Sequence, residues 1–65
     1  MYTLTIYNRP SNEIRSFEFT NIRQALNSFI ERCDELGYSY EEDNDGNFLA
    51  GGIGHDNSIT LISNI

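Results

Sequence analysis

The chain contains no lysine and no tryptophan, and it has a single cysteine, proline and histidine. One cysteine, Cys33, excludes the intrachain disulfide framework on which many small secreted domains depend. One Cys and one His do not make up a zinc site, because structural zinc takes four such ligands. We therefore predict neither a metal nor any other cofactor.

A long apolar run and a basic leader are also missing, so neither a signal peptide nor a membrane span is expected. Met1 is consistent with a natural start, which favours a complete small gene product located in the cytoplasm. With 65 residues there is room for one domain, residues 1–65. A domain of this size buries only about 60% of its unfolded surface, which argues against a deep active site. We predict that the protein is not an enzyme.

The charges are divided unevenly along the chain. Residues 1–32 carry a balance of +1, whereas residues 33–65 carry −7 and no basic residue. Such an acidic half repels nucleic acid and anionic membranes, and it attracts a basic protein surface. We predict that it binds a partner through its acidic residues and two nearby tyrosines: Asp34, Glu35, Tyr38, Tyr40, Glu41, Glu42, Asp43, Asp45 and Asp56.

Alternation of apolar and polar residues predicts strands at residues 2–7, 13–19, 38–42, 47–53 and 58–65. Residues 21–36 have apolar side chains spaced by three or four, which predicts a helix with Thr20 or Asn21 as N-cap and Gly37 after its end. Cys33 lies on this apolar stripe and is expected in the core. The order ββαβββ predicts a small α+β domain with one helix packed on an antiparallel sheet.

Three short motifs could carry chemistry, and each has a structural interpretation that we favour. Residues 41–46 resemble the start of a calcium loop, but the twelfth position of that loop is Gly52 instead of Glu. The glycines at 51–54 are followed by a strand pattern and not by the helix that a phosphate loop needs. His55 and Asp56, with Ser58 nearby, are the one acid–base pair, and we interpret them as turn residues.

The acidic residues Asp34, Glu35, Glu41, Glu42, Asp43, Asp45 and Asp56, together with the size and element order, give the chain a resemblance in style to a known group. It resembles the small acidic anti-defence proteins of phages, the anti-CRISPR and anti-restriction DNA mimics. This resemblance implies stoichiometric inhibition of a nuclease or CRISPR effector subunit. It also implies no direct contact with nucleic acid, and action in the host cytoplasm if a phage encodes the protein.

Two other functions stay open at this point. The chain could be an oligomeric sponge for a nucleotide signal, with Arg9, Arg15, Arg23 or Arg32 on the phosphates. It could also be an antitoxin-like or structural module that covers a partner surface without mimicking DNA. A homodimer is compatible with each function, since self-association would support a small core.

Overall fold

The computed structural model describes residues 1–52 and 54–63. Its elements are β1 (Tyr2–Asn8), β2 (Glu13–Phe19), α1 (Ile22–Leu36), β3 (Tyr40–Glu42), β4 (Phe48–Gly51) and β5 (Asn57–Ser63). The predicted α+β class and ββαβββ order are confirmed. Predictions for Ile53 in the fourth strand and for residues 64–65 in the fifth lie outside the described residues.

The five strands form one sheet in the order β2-β1-β5-β4-β3, and every neighbouring pair is antiparallel. Leu4 on β1 lies opposite Phe17 on β2 and opposite Leu61 on β5. Opposite residues of antiparallel strands project to the same face, so these side chains share the face on which α1 packs. β2 and β3 are the two edges of the sheet.

Both ends of α1 are capped as the sequence predicts. The side-chain Oδ1 of Asn21 accepts hydrogen bonds from the backbone N–H of Arg23 (2.8 Å) and Gln24 (3.4 Å). Gly37 adopts the left-handed conformation with φ +70°. The next N–H, of Tyr38, then donates to the Cys33 carbonyl at 2.9 Å. Because Tyr38 completes this helix-ending motif, the third strand begins at Tyr40 and not at residue 38 as predicted.

The core lies between α1 and the sheet face beneath it. It consists of seven buried apolar residues: Leu4, Ala25, Phe29, Cys33, Ala50, Ile59 and Leu61. Phe29 contributes the largest of these side chains, and its ring lies 5.5 Å from that of Tyr40 and 5.9 Å from that of Phe48. Ile22 and Leu36, the first and last members of the predicted apolar stripe, are exposed because they lie at the helix ends. The other face of the sheet has no helix over it in the described part of the chain.

The connection between β4 and β5 depends on Gly51, which has φ +76°. A Cβ atom at this position would overlap the carbonyl oxygen of Asn57, so no larger residue fits without a backbone shift. The same loop is joined to the β1–β2 turn, because Arg9 donates from its guanidinium to the Gly52 carbonyl (3.0 Å) and from its backbone N–H to the Asp56 carbonyl (2.8 Å). Within the described residues, no helix is long and apolar enough to cross a membrane.

Candidate functional site

The acidic residues of the second half occupy three separate places in the fold. Glu41 and Glu42 lie on the edge strand β3, and Asp43 and Asp45 follow in the turn to β4. Asp34 and Glu35 lie in the last turn of α1, and Asp56 lies in the β4–β5 loop. The turn with Asp43 and the loop with Asp56 are at opposite ends of β4, so the structure does not bring the seven carboxylates together.

Three carboxylates on β3 and in the turn after it are what we call the acidic edge: Glu41, Glu42 and Asp45. All three are exposed. The ion pairs among the described residues are Arg15–Glu13 and Arg32–Glu35, so no carboxylate of the acidic edge has a cationic partner there. Glu41 lies opposite Leu49 and Glu42 opposite Phe48, so the two glutamates project to different faces of the sheet.

Asp43 has a different role from its acidic neighbours. Its Oδ1 accepts hydrogen bonds from the backbone N–H of Asp45 and of Asn47, both at 2.9 Å, and its Oδ2 accepts from the Asn47 side chain at 3.3 Å. These donors, led by the Asn47 backbone N–H, lower the pKa of the Asp43 carboxyl below its usual 3.8. Asp43 therefore closes the β3–β4 turn, and the calcium-like pattern in the sequence folds as a self-contained turn.

Asp34 and Glu35 lie where the helix dipole favours cations. The last turn of α1 contains no basic residue, and each carboxylate at a helix C-terminus costs roughly 0.3–1 kcal/mol. Glu35 offsets part of this cost through its pair with Arg32, with an N···O distance of 3.6 Å. The presence of Asp34 and Glu35 at this end of α1 is therefore not explained by a stabilising effect on the helix.

The two predicted tyrosines differ in how much they are available to a partner. Tyr38 is half-buried, its ring is 4.6 Å from that of His55, and its hydroxyl accepts a hydrogen bond from the Asn57 backbone N–H at 3.2 Å. Tyr40 is 44% exposed and packs edge-on against Phe29 at the rim of the core. Tyr40 projects to the same side of β3 as Glu42. The Tyr38 hydroxyl, in contrast, is already hydrogen-bonded at the start of β5.

The other candidate residues are Cys33 and His55. Cys33 is completely buried, and burial, with a smaller contribution from Asp34, raises the pKa of its thiol. His55 is exposed and lies against Tyr38. Across the described ranges, no three His, Cys, Asp or Glu side chains lie close enough to hold a metal ion.

The four arginines do not converge on one place. Arg9 is bound to the β4–β5 loop, and Arg23 lies in the first turn of α1. Arg15 and Arg32 line one open groove of about 450 Å³ between β2 and α1, which Asn8 and Asn57 also line. The sequence alone did not identify this groove, because it depends on which strand lies beside the second half of the helix.

Comparison with known proteins finds no family model, no curated protein and no solved structure that matches this chain.

Proposed function

We propose that the protein is a non-catalytic inhibitor that binds a basic nucleic-acid-binding surface of a host defence complex, of the anti-CRISPR or anti-restriction type. The supporting observation is the acidic edge, where Glu41, Glu42 and Asp45 are exposed and have no cationic partner among the described residues. The partner surface would be that of a nuclease or a CRISPR effector subunit. The inhibitor itself would not contact nucleic acid.

The physical basis is electrostatic attraction at a protein edge. Unpaired carboxylates on a chain with net charge −6 produce a negative field that steers a basic surface toward them. On contact, arginine side chains of the partner would form charge-assisted and often bidentate hydrogen bonds with Glu41 and Glu42. The same basic surface binds phosphates, so inhibitor and nucleic acid would compete for it.

Tyr40 supplies an apolar contact beside these charges. Its ring is partly exposed and is held by Phe29, so binding would cost little side-chain entropy. Tyrosine is enriched at protein interfaces because it offers both apolar area and a hydroxyl. A partner that approaches the helix-covered side of β3 would meet Tyr40 and Glu42 together.

The experiment uses a double variant, Glu41→Lys with Glu42→Lys, which spares the turn-closing Asp43. The control, Gln24→Lys with Asn27→Lys and Glu31→Lys, produces the same net charge from exposed positions on α1. Inhibition of DNA cleavage and direct binding are measured against purified CRISPR effector complexes and restriction enzymes. We expect the wild type and the control to inhibit one of these, and the β3 variant to have lost inhibition and binding.

Two further measurements sharpen the result. Binding should weaken as salt shortens the screening length below about 8 Å, and the target's own nucleic acid should displace the protein. Inhibition that survives both the β3 substitutions and high salt would contradict the proposal. A nucleotide retained by the wild type in native mass spectrometry would favour the sponge instead.

A further inference from the structure

The edge strand β2 is protected against pairing with another strand only by its charged side chains. It is seven residues long, and nothing in the described part of the chain lies beyond it in the sheet. Ile14 is 66% exposed on one face of this strand and Phe17 is 40% exposed on the other. Natural edge strands are commonly short, covered or interrupted, because a free backbone edge pairs readily with another chain.

We propose that β2 pairs in antiparallel fashion with β2 of a second copy of this chain. The twofold axis would be perpendicular to the sheet, which gives a continuous ten-stranded sheet with both helices on one face. Main-chain hydrogen bonds would provide the contact, and the side chains on both faces would determine the register. This inference goes beyond the proposed function and does not depend on it.

The distribution of charge favours a second copy at this edge, because the acidic edges of the two copies stay far apart. β2 carries charges of both signs, whereas the acidic edge lies on β3 at the far side of the sheet, about 19 Å away at four strand spacings. That distance exceeds the screening length of about 8 Å at physiological salt. Two copies that pair through β2 would keep their acidic edges at opposite ends of the joint sheet, about 43 Å apart along nine strand spacings.

The strand sequence favours one register. Full antiparallel overlap places Ser16 opposite Ser16 of the second copy, Arg15 opposite Phe17, and Ile14 opposite Glu18. No like charges are then directly opposite each other. A two-residue shift in either direction shortens the overlap to five residues, and the shift toward the β1–β2 turn also sets Arg15 opposite itself.

The space between β2 and α1 is consistent with this pairing. Arg15 and Arg32 line the larger groove, and Phe17 and Phe19 line a neighbouring groove of about 210 Å³. In the full-overlap register, Phe17 of the second copy lies opposite Arg15, at the β2 side of the larger groove. There its ring can stack on the guanidinium and lose its exposure to water.

The experiment exploits the self-opposed position of Ser16, which is exposed. Sedimentation equilibrium of the wild type should give twice the monomer mass of 7.5 kDa. Ser16→Lys and Ser16→Glu should each weaken dimerisation on the order of tenfold, because like charges then face each other. An equimolar mixture of the two variants should recover dimers of wild-type strength, since Lys then faces Glu.

Two sets of variants serve as control and confirmation. Asn27→Lys and Asn27→Glu, on the exposed side of α1, should leave the dimer unchanged. Ile14→Lys should strengthen the dimer by facing Glu18, and Ile14→Glu should weaken it. A monomeric wild type at every concentration would overturn the proposal, as would a dimer that is insensitive to charge at Ser16.

Discussion

The two edges of the sheet differ in length, in charge and in how the domain holds them. β2 has seven residues with charges of both signs and an exposed apolar side chain on each face. β3 has three residues, two of which are glutamates. Charge and shortness protect β3 from pairing with another strand, whereas β2 has only its mixed charges. β3 is therefore the short, acidic edge, and β2 is the long edge with charges of both signs.

The means of attachment differ as well. β3 is connected to the core through the ring contact of its Tyr40 with Phe29, and to β4 through the contact of Tyr40 with Phe48 and the turn that Asp43 closes. β2 joins the sheet mainly through its seven-residue pairing with β1, and all its residues except Phe19 are exposed. Both edge strands belong to hairpins. They differ in the length of the pairing, three residues for β3 and seven for β2, and in the side chain that packs on the core, Tyr40 for β3 and Phe19 for β2.

The largest effect on stability is expected from truncating a phenylalanine, and two positions are compared: Phe29 in the core and Phe17 on β2. Phe29→Ala should destabilise the domain by about 3–5 kcal/mol, because it leaves a cavity in the centre of the core. This cost is comparable to the whole stability of a small domain, so the variant should be largely unfolded. Phe17→Ala should cost about 1 kcal/mol, because much of that ring is already exposed. Urea denaturation measures both, and equal costs would contradict the difference in burial between the two rings.

An intermediate effect is expected at the corner that holds β4 and β3. Gly51→Ala combines the strain of a left-handed residue with the overlap of the new Cβ on the Asn57 carbonyl. We expect the free energy of unfolding to fall by roughly 2–4 kcal/mol. Gly54→Ala is the matched control, since Gly54 also has positive φ but open space around its Cβ position. The free energy of unfolding of this control should fall by only about 1–2 kcal/mol.

Hydrogen exchange shows which strands the Gly51→Ala substitution destabilises. Amides of β3 and β4 should lose more protection than those of β1 and β2, because the altered corner joins β4 to β5. Uniform loss over all five strands would mean that the two edges are not separable units.

The smallest effect concerns pH and the two hairpin turns. Asp43 closes the β3–β4 turn with a carboxylate whose pKa is lowered by hydrogen bonds. The stability that this carboxylate contributes is present above the unfolded-state pKa of 3.8. It is lost as the pH falls through the lower folded-state pKa. Asn8 closes the β1–β2 turn with an uncharged amide that accepts from the Ser11 N–H at 3.0 Å.

Acid should therefore loosen the β3–β4 turn before the β1–β2 turn. The amide chemical shifts of Asp45 and Asn47 should titrate in NMR spectra, whereas that of Ser11 should not. Asp43→Asn should remove the titration of the Asn47 amide. A titrating Ser11 amide, or unchanged Asp45 and Asn47 amides, would refute the assignment of the two turns.

Local patterns of side chains predicted the elements of the fold. Residues 13–19 alternate cleanly and form a strand with the predicted bounds, and Asn21 and Gly37 cap the helix as expected. The third strand is shorter than predicted, because Tyr38 is used to end the helix and its hydroxyl binds the β4–β5 loop. Strand propensity at Tyr38 is overridden by this tertiary contact.

The candidate site was less predictable than the fold. The charge imbalance is a property of composition, so the acidic residues were evident from the sequence. Their division among the helix end, the β3 edge and the β4–β5 loop depends on strand order. The capture of Asp43 by its own turn depends on the local backbone path, which a pattern of acidic residues does not specify.

The sequence by itself determined the α+β class, the helix and its caps, the alternating faces of β1 and β2, and the acidity of the second half. Each of these follows from spacing or composition within a short stretch of chain. Only the tertiary structure decided that β5 lies between β1 and β4, which makes β2 and β3 the edges. Strand order depends on packing between residues far apart in the chain, so no local pattern encodes which strands remain at the edge.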